Sequence, residues 1–108
     1  MNRFESLTEL RDALRDFAQA RGWRQFHTPK NLAMALIVEA AELVEHFQWA
    51  TAEESSALSP DQAAEVEDEV ADVLIYLVEL ADVLDINLIA AARRKMAKNA
   101  IKHPPTIP

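Results

Sequence analysis

Four acidic residues carry the first chemical signal in this chain. Glu39 and Glu42 lie in "NLAMALIVEAAELVEHFQW", residues 31–49, and Glu69 and Asp72 in "EVEDEVADVLIYLVELAD", residues 65–82. Each pair is spaced i, i+3, which on a helix brings the two carboxylates to one face, about 5–6 Å apart at Cβ. Like charges that close repel, and no Lys or Arg occurs between Asn31 and Ala92 to relieve them. A buried carboxylate without a partner costs several kcal/mol, on the order of what a small domain can spare. Hard divalent cations relieve such repulsion, and Mg²⁺ in particular is held by carboxylates together with substrate phosphates. The expected chemistry is therefore a Mg²⁺ site with Glu39, Glu42, Glu69 and Asp72 as ligands, acting on a phosphate ester.

Helical residues advance by about 100° each. Measured from Leu36, the residues Ala40, Leu43 and Phe47 form one stripe, with Glu39, Glu42 and His46 on its flank and Glu45 pointing away. Measured from Val66, the residues Val70, Val73 and Leu77 form a stripe, and Glu69, Asp72 and Tyr76 occupy the same flank at the same angles. A single E-x-x-E is ordinarily solvated decoration. Two at matching angles converge if their helices pack antiparallel. Di-iron chemistry of the ferritin type asks for Glu-x-x-His pairs, but Leu43 precedes His46 by three residues and Arg24 precedes His27.

Elements that could hold this arrangement are well signalled. Ser6-Leu7-Thr8-Glu9 reads as a capping box that opens a first helix ending near Gly22. Thr28-Pro29 starts a second helix reaching about Gln48, and Ser59-Pro60-Asp61-Gln62 starts a third reaching about Leu84. Thr51 and Glu54 can cap a short turn between them. "DIN" at 85–87 breaks the chain before a fourth helix to about Lys102, and "HPPTIP" at 103–108 reads as a loose tail. One glycine in 108 residues, with abundant Ala, Leu and Glu, agrees with an all-α, single-domain chain, 1–108. The third helix is apolar on nearly every side, which four helices in one chain cannot bury, so the bundle is expected to be completed by a homodimer or homotetramer.

The net charge of −7 is segregated: residues 31–92 hold 14 of the 18 acids, whereas all 11 basic residues lie outside them. A nucleic-acid polymer is not the expected partner of such a chain. The absence of cysteine excludes disulfides and thiolate zinc sites. "MNRFESLTEL" lacks the apolar centre of a signal peptide, and "VLIYLV" is too short to span a bilayer. A cytoplasmic protein with no membrane association is expected. Aromatic and basic residues flank the carboxylates. Trp23, Phe26 and Trp49 either plug helix ends or stack on a nucleobase. His27 either caps or hydrogen-bonds a ligand. Lys95, Asn99 and Lys102, at i, i+4 and i+7 of the last helix, form either a solvated face or a phosphate-neutralising one.

"FHTPKNLAMALIVEAAELVEHFQW", "EVADVLIYLVELAD" and "KMAKNAIKHP" together resemble the all-α nucleoside triphosphate pyrophosphohydrolases of the MazG-like superfamily, and within it the short dCTP pyrophosphatase-like branch. The resemblance runs over roughly residues 14–104. It implies a four-helix MazG-like bundle assembled as dimers or dimers of dimers, which cleaves a nucleoside triphosphate to monophosphate and pyrophosphate with Mg²⁺. It implies Glu39, Glu42, Glu69 and Asp72 as magnesium ligands, with Glu39 or Glu42 orienting or deprotonating the attacking water. It further implies a nucleotide pocket lined by Trp23, Arg24, Gln25, Phe26, His27, Lys30, Trp49 and Tyr76, with Lys95, Asn99 and Lys102 toward the phosphates. Better-known animal members of the branch have histidine where this chain has Leu14, so the base preference is left open. A non-catalytic helical assembly module is the reading from another class, and it gives no reason for an unpaired carboxylate quartet.

Overall fold

The structure, a computed structural model, describes residues 3–106, and every regular element among them is helical. Helix α1 spans Leu7–Ala20, α2 Pro29–Glu45, α3 Ala52–Ser55, α4 Pro60–Val83 and α5 Leu88–Lys102. A 3-10 turn, Arg24–Phe26, joins α1 to α2.

The helix starts follow from the polar residue in front of each. The hydroxyls of Ser6, Thr28, Thr51 and Ser59 accept from the backbone N–H groups of Glu9, Asn31, Glu54 and Gln62, so each answers one of the donors a helix start leaves unpaired. Glu54 and Gln62 complete reciprocal capping boxes, which turns the expected short turn at 51–55 into a helix of its own. Asn87 caps α5 in the same way through Ala90. Two ends need left-handed backbone. Gly22 has φ 67° just past α1, and Asp85 has φ 55° after α4, a conformation that Asp tolerates better than most residues. Helix α2 stops at Glu45, three residues before the expected end, and Phe47 to Ala50 close as turns.

Helix α4 packs chiefly against α2 and then against α1. The contacts between α4 and α2 run in opposite order along the two chains. His46 lies 3.9 Å from Glu65, Glu39 adjoins Glu69 and Asp72, and His27, just ahead of α2, lies 3.1 Å from Glu79. The two helices are therefore antiparallel, the geometry that the carboxylate pairs require. Arg15 of α1 reaches Asp82 of α4 with both Nε and Nη2, tying α1 to the C-terminal end of α4.

Little of this unit is sealed. Leu10, Ala18, Leu32, Val78 and Ala81 are the buried apolar residues, and Leu32 and Val78 are only 2 % exposed. The stripe expected from Val66, Val70, Val73 and Leu77 is only partly inward: Val66 and Val73 are half-buried, but Val70 is 51 % exposed and Leu77 39 %. Glu69 and Asp72 instead face α2, while the buried Val78 and Ala81, about half a turn round the helix, face α1. The helix thus turns its acids inward and several aliphatic residues outward. Helix α2 does likewise, leaving Met34, Ile37, Val38 and Val44 exposed. Helix α5 has no extensive packing against the rest of the chain. The radius of gyration is 17.0 Å, whereas a compact domain of this length has about 13 Å. The expected four-helix bundle is, within one chain, a three-helix unit with α5 set apart from it.

Candidate metal centre and nucleotide hollow

The α2–α4 pairing decides where the acids meet. Glu39 on α2 and Glu69 and Asp72 on α4 each place a carboxylate oxygen within 4.8 Å of the other two. Oε2 of Glu39 and Oε2 of Glu69 are sealed from solvent and have no hydrogen-bond partner. That is the costliest state for a carboxylate oxygen. The pKa of Glu39 is accordingly pushed up to about 7, first by burial and then by the neighbouring carboxyl groups of Glu69, Glu42 and Asp72. Glu42 therefore adjoins the cluster through Glu39 but stands outside the tight trio.

The donor set fits a hard divalent cation. It is all oxygen, it is anionic, and two of its oxygens face inward with no proton donor to meet them. Glu39, Glu69 and Asp72 would hold such an ion, with Glu42 beside them. No lysine, arginine or histidine lies within salt-bridge distance of these three carboxylates among the described residues.

Next to the trio a hollow of about 120 Å³ opens between α1 and α4. Asp72 lies at its wall, so metal site and hollow share a residue. Phe17 and Trp23 line it and meet edge to face, with centroids 5.7 Å apart and planes at 63°. The guanidinium of Arg21 covers the Phe17 ring at 3.4 Å. Tyr76, one turn beyond Asp72 on α4, adds its phenol, whose pKa is raised by burial and by Glu39, Glu79 and Asp72. His27 and Glu79 complete the wall.

Of the residues singled out in the sequence, the structure brings together Glu39, Glu69, Asp72, Tyr76, His27 and Trp23, with Glu42 adjacent. Others lie apart within one chain. Trp49 follows α2 and is 90 % exposed, and Phe26 is 60 % exposed. Gln25 donates to the carbonyl of Gly22 and so serves the turn. Arg24 lines a smaller hollow behind His27, and Lys30 is exposed at the start of α2. Lys95, Asn99 and Lys102 are exposed on α5, away from the carboxylates. Phe17 and Glu79 line the hollow without having been singled out. The spacing did contain a signal: Asp72, Tyr76 and Glu79 stand at i, i+4 and i+7 along one face of α4.

The comparisons with known proteins agree with this architecture. The MazG-like family pattern matches residues 34–106, which contain all four acids. Bovine (Bos taurus) dCTP pyrophosphatase 1 is 42 % identical over 101 residues, which make up 92 % of this chain and 60 % of the relative. The Homo sapiens protein of the same name is likewise 42 % identical, over 92 % of this chain and 59 % of its own. The chain thus spans about 60 % of the length of these curated relatives. A crystal structure of a pyrophosphatase from Archaeoglobus fulgidus superposes with a TM-score of 0.87 at 47 % identity, covering 97 % of this chain and 98 % of that one. With most of α2, all of α4 and the whole carboxylate trio in the region that the pattern matches, the chain belongs to the MazG-like family.

Proposed function

We propose that this protein hydrolyses (deoxy)nucleoside triphosphates to the monophosphate and pyrophosphate, with Mg²⁺ as cofactor, and so clears the nucleotide pool of the cytoplasm. The observation that carries the proposal is the pair of sealed, partnerless oxygens on Glu39 and Glu69, whose carboxylates meet that of Asp72 beside an aromatic hollow. A protein that merely assembled would have no use for them. The names of the relatives, dCTP pyrophosphatase 1 and a pyrophosphatase, support the same reaction class. No described helix is long and apolar enough to cross a membrane.

On this reading Glu39, Glu42, Glu69 and Asp72 hold the cation, which supplies polarisation of the phosphate oxygens and a more acidic water. Phe17, Trp23 and Tyr76 receive the base and sugar in the hollow. Glu39, beside the cation, is one candidate to take the proton of the attacking water at the α-phosphorus. Glu42, beside it, is the other candidate for that task. Lys95, Asn99 and Lys102 would meet the phosphates from α5 of a second chain, since within one chain α5 stands apart. The outward aliphatic faces of α2 and α4 are the surfaces that a homodimer or homotetramer would cover.

The test is product analysis in ¹⁸O-labelled water with a panel of nucleoside triphosphates and Mg²⁺. Pyrophosphate and a monophosphate carrying the label are expected. Orthophosphate as the first product, or no hydrolysis of any triphosphate, would overturn the proposal.

A further inference from the structure

The turn between α1 and α2 carries Trp23 into the hollow, and its polar ties run almost wholly to its own two helices. The Trp23 N–H donates to the carbonyl of Ala18, the Gln25 amide to that of Gly22, and the Asn31 amide to that of Phe26. Toward α4 the Arg24–Phe26 turn has no extensive packing. Among the described residues a single polar contact joins 21–28 to α4: His27 Nδ1 lies 3.1 Å from Glu79 Oε2. The two side chains are only 20 % and 13 % exposed, so solvent screens this contact less than a surface pair.

Glu79 has no second cation to rely on. The groups that face the pair are Arg11 and Arg15 from α1, Arg24 from the turn, and Asp72, Tyr76 and Asp82 from α4, with the exposed Lys30 at the start of α2. Arg11 is engaged by Asp12, and Arg15 by Asp82. No base other than His27 comes within salt-bridge distance of Glu79 among the described residues. Burial raises the pKa of Glu79, His27 draws it back, and Asp82 adds to the rise. Histidine is the side chain whose ordinary titration, at about pH 6.5, falls in the physiological range. Below it an imidazolium offsets the carboxylate. Above it Glu79 is left ionised in a half-dry wall without a countercharge.

We infer that Glu79 is a positioning residue: through the charge of His27 it holds the Trp23 turn against α4, so that this wall of the hollow is set below the histidine range and released above it. The window opens once Glu79 is ionised and closes as the pH rises past the histidine titration. The other end of the helix pair lacks the device. His46 lies 3.9 Å from Glu65, whose side chain is 69 % exposed, so water competes for that charge. The clasp is a property of the fold, whereas its effect on turnover rests on the proposed reading of the hollow as a nucleotide site.

A double-mutant cycle of His27→Gln and Glu79→Gln, read from urea midpoints of the metal-free protein at pH 6 and pH 8.5, tests the contact and cancels titration elsewhere. The coupling should change the unfolding equilibrium roughly 5- to 30-fold at pH 6 and fall close to one at pH 8.5. His27→Lys, whose charge persists at both values, should keep its coupling to Glu79 at pH 8.5. Hydrogen exchange at the Trp23 amide, corrected for the intrinsic rate at each pH, follows the turn itself. Its protection should drop in Glu79→Gln at pH 6 and in the wild type at pH 8.5, and His46→Gln should leave it unmoved. With Mg²⁺ and a triphosphate at pH 6, Glu79→Gln should raise KM more than it lowers kcat, because only molecules with the turn in place bind well. At pH 8.5 the two proteins should converge. Absent coupling, coupling equal at both pH values, Trp23 protection that ignores Glu79, or an unchanged KM overturns the inference. Where the double variant does not fold, protection in the single variants decides. If no triphosphate is hydrolysed while coupling and protection behave as stated, the positioning stands and the proposed reaction falls.

Discussion

Replacing Glu39 with glutamine separates the two things its carboxylate does. In the metal-free protein, Glu39 is an acid whose pKa the fold raises from 4.5 to about 7. A folded-state pKa above the unfolded one means that the folded chain binds the proton more tightly. Stability is then greatest below about pH 4.5 and declines as the pH rises through about 7. The 2.5-unit difference corresponds to a ceiling of about 3 kcal/mol. Glu39 is only half-buried as a residue and shares its proton with neighbours, so about 1–2 kcal/mol is the working figure. Glutamine has the shape of the protonated acid and escapes this penalty. At pH 8 without metal, Glu39→Gln should therefore melt roughly 5–10 °C above the wild type. At pH 4.5 the two should coincide. Mg²⁺ should raise the wild-type midpoint and leave the variant nearly unmoved, because a ligand stabilises only the state that binds it. Scanning calorimetry at fixed protein concentration across pH 4.5–8, with and without Mg²⁺, measures all three. A variant less stable than the wild type at pH 8, or one whose advantage does not change with pH, would refute the reasoning.

The amides Glu69→Gln and Asp72→Asn should each reduce Mg²⁺-dependent hydrolysis at least a hundredfold while leaving the circular dichroism of the helices intact; wild-type rates in both would remove the trio from the site. Asp82→Asn should weaken the fold at neutral pH, and by less as the pH falls below the usual carboxylate range, because Arg15 holds the Asp82 carboxyl below that range and its contribution is lost as pH falls through the folded pKa; a loss that does not change with pH in urea titrations would speak against it. Gly22→Ala should cost about 1 kcal/mol, read as a shift in the urea midpoint, since φ 67° strains a Cβ although nothing lies within 4 Å of it. Ile37→Asp, placed on the outward face of α2, should shift sedimentation toward a species of about 12 kDa if that face meets a second chain; an unchanged assembly would move the interface elsewhere.

Much of this was written in the chain at short range. The caps at Ser6, Thr28, Thr51 and Ser59 each consist of a side chain and an N–H three residues on, so the sequence alone contains both partners. The pairing of Glu39 with Glu69 and Asp72 was legible because both helices repeat one spacing and no base intervenes. What was not legible depends on which side of α4 faces inward. A helix with aliphatic residues all round gives no apolar stripe to decide it, so Val70 and Leu77 were expected inside and are found outside. Arg15 and Asp82 are 67 residues apart, and nothing in either segment names the other. Glu79 read as one more acid in an acidic region until the fold placed it 3.1 Å from His27.

The orientation of α4 links the site to the surface. For Glu39, Glu69 and Asp72 to meet, α2 and α4 must turn their acids toward each other, and a helix with carboxylates on its inner side can place fewer aliphatic residues there. The remainder, including Ile37 and Val44 on α2 and Val70 and Leu74 on α4, then face outward by geometry and not by accident. Repulsion among the acids pushes the two helices apart, and the few sealed residues between and beside them, such as Leu32 and Val78, do little to oppose it. Covering an outward aliphatic side chain contributes roughly 1.5–3 kcal/mol, so one of them on either helix is enough to offset what Glu39 costs. The same sequence choice thus builds the carboxylate trio that could hold an ion and exposes the surface through which a second chain, and the ion itself, would hold the helix pair together.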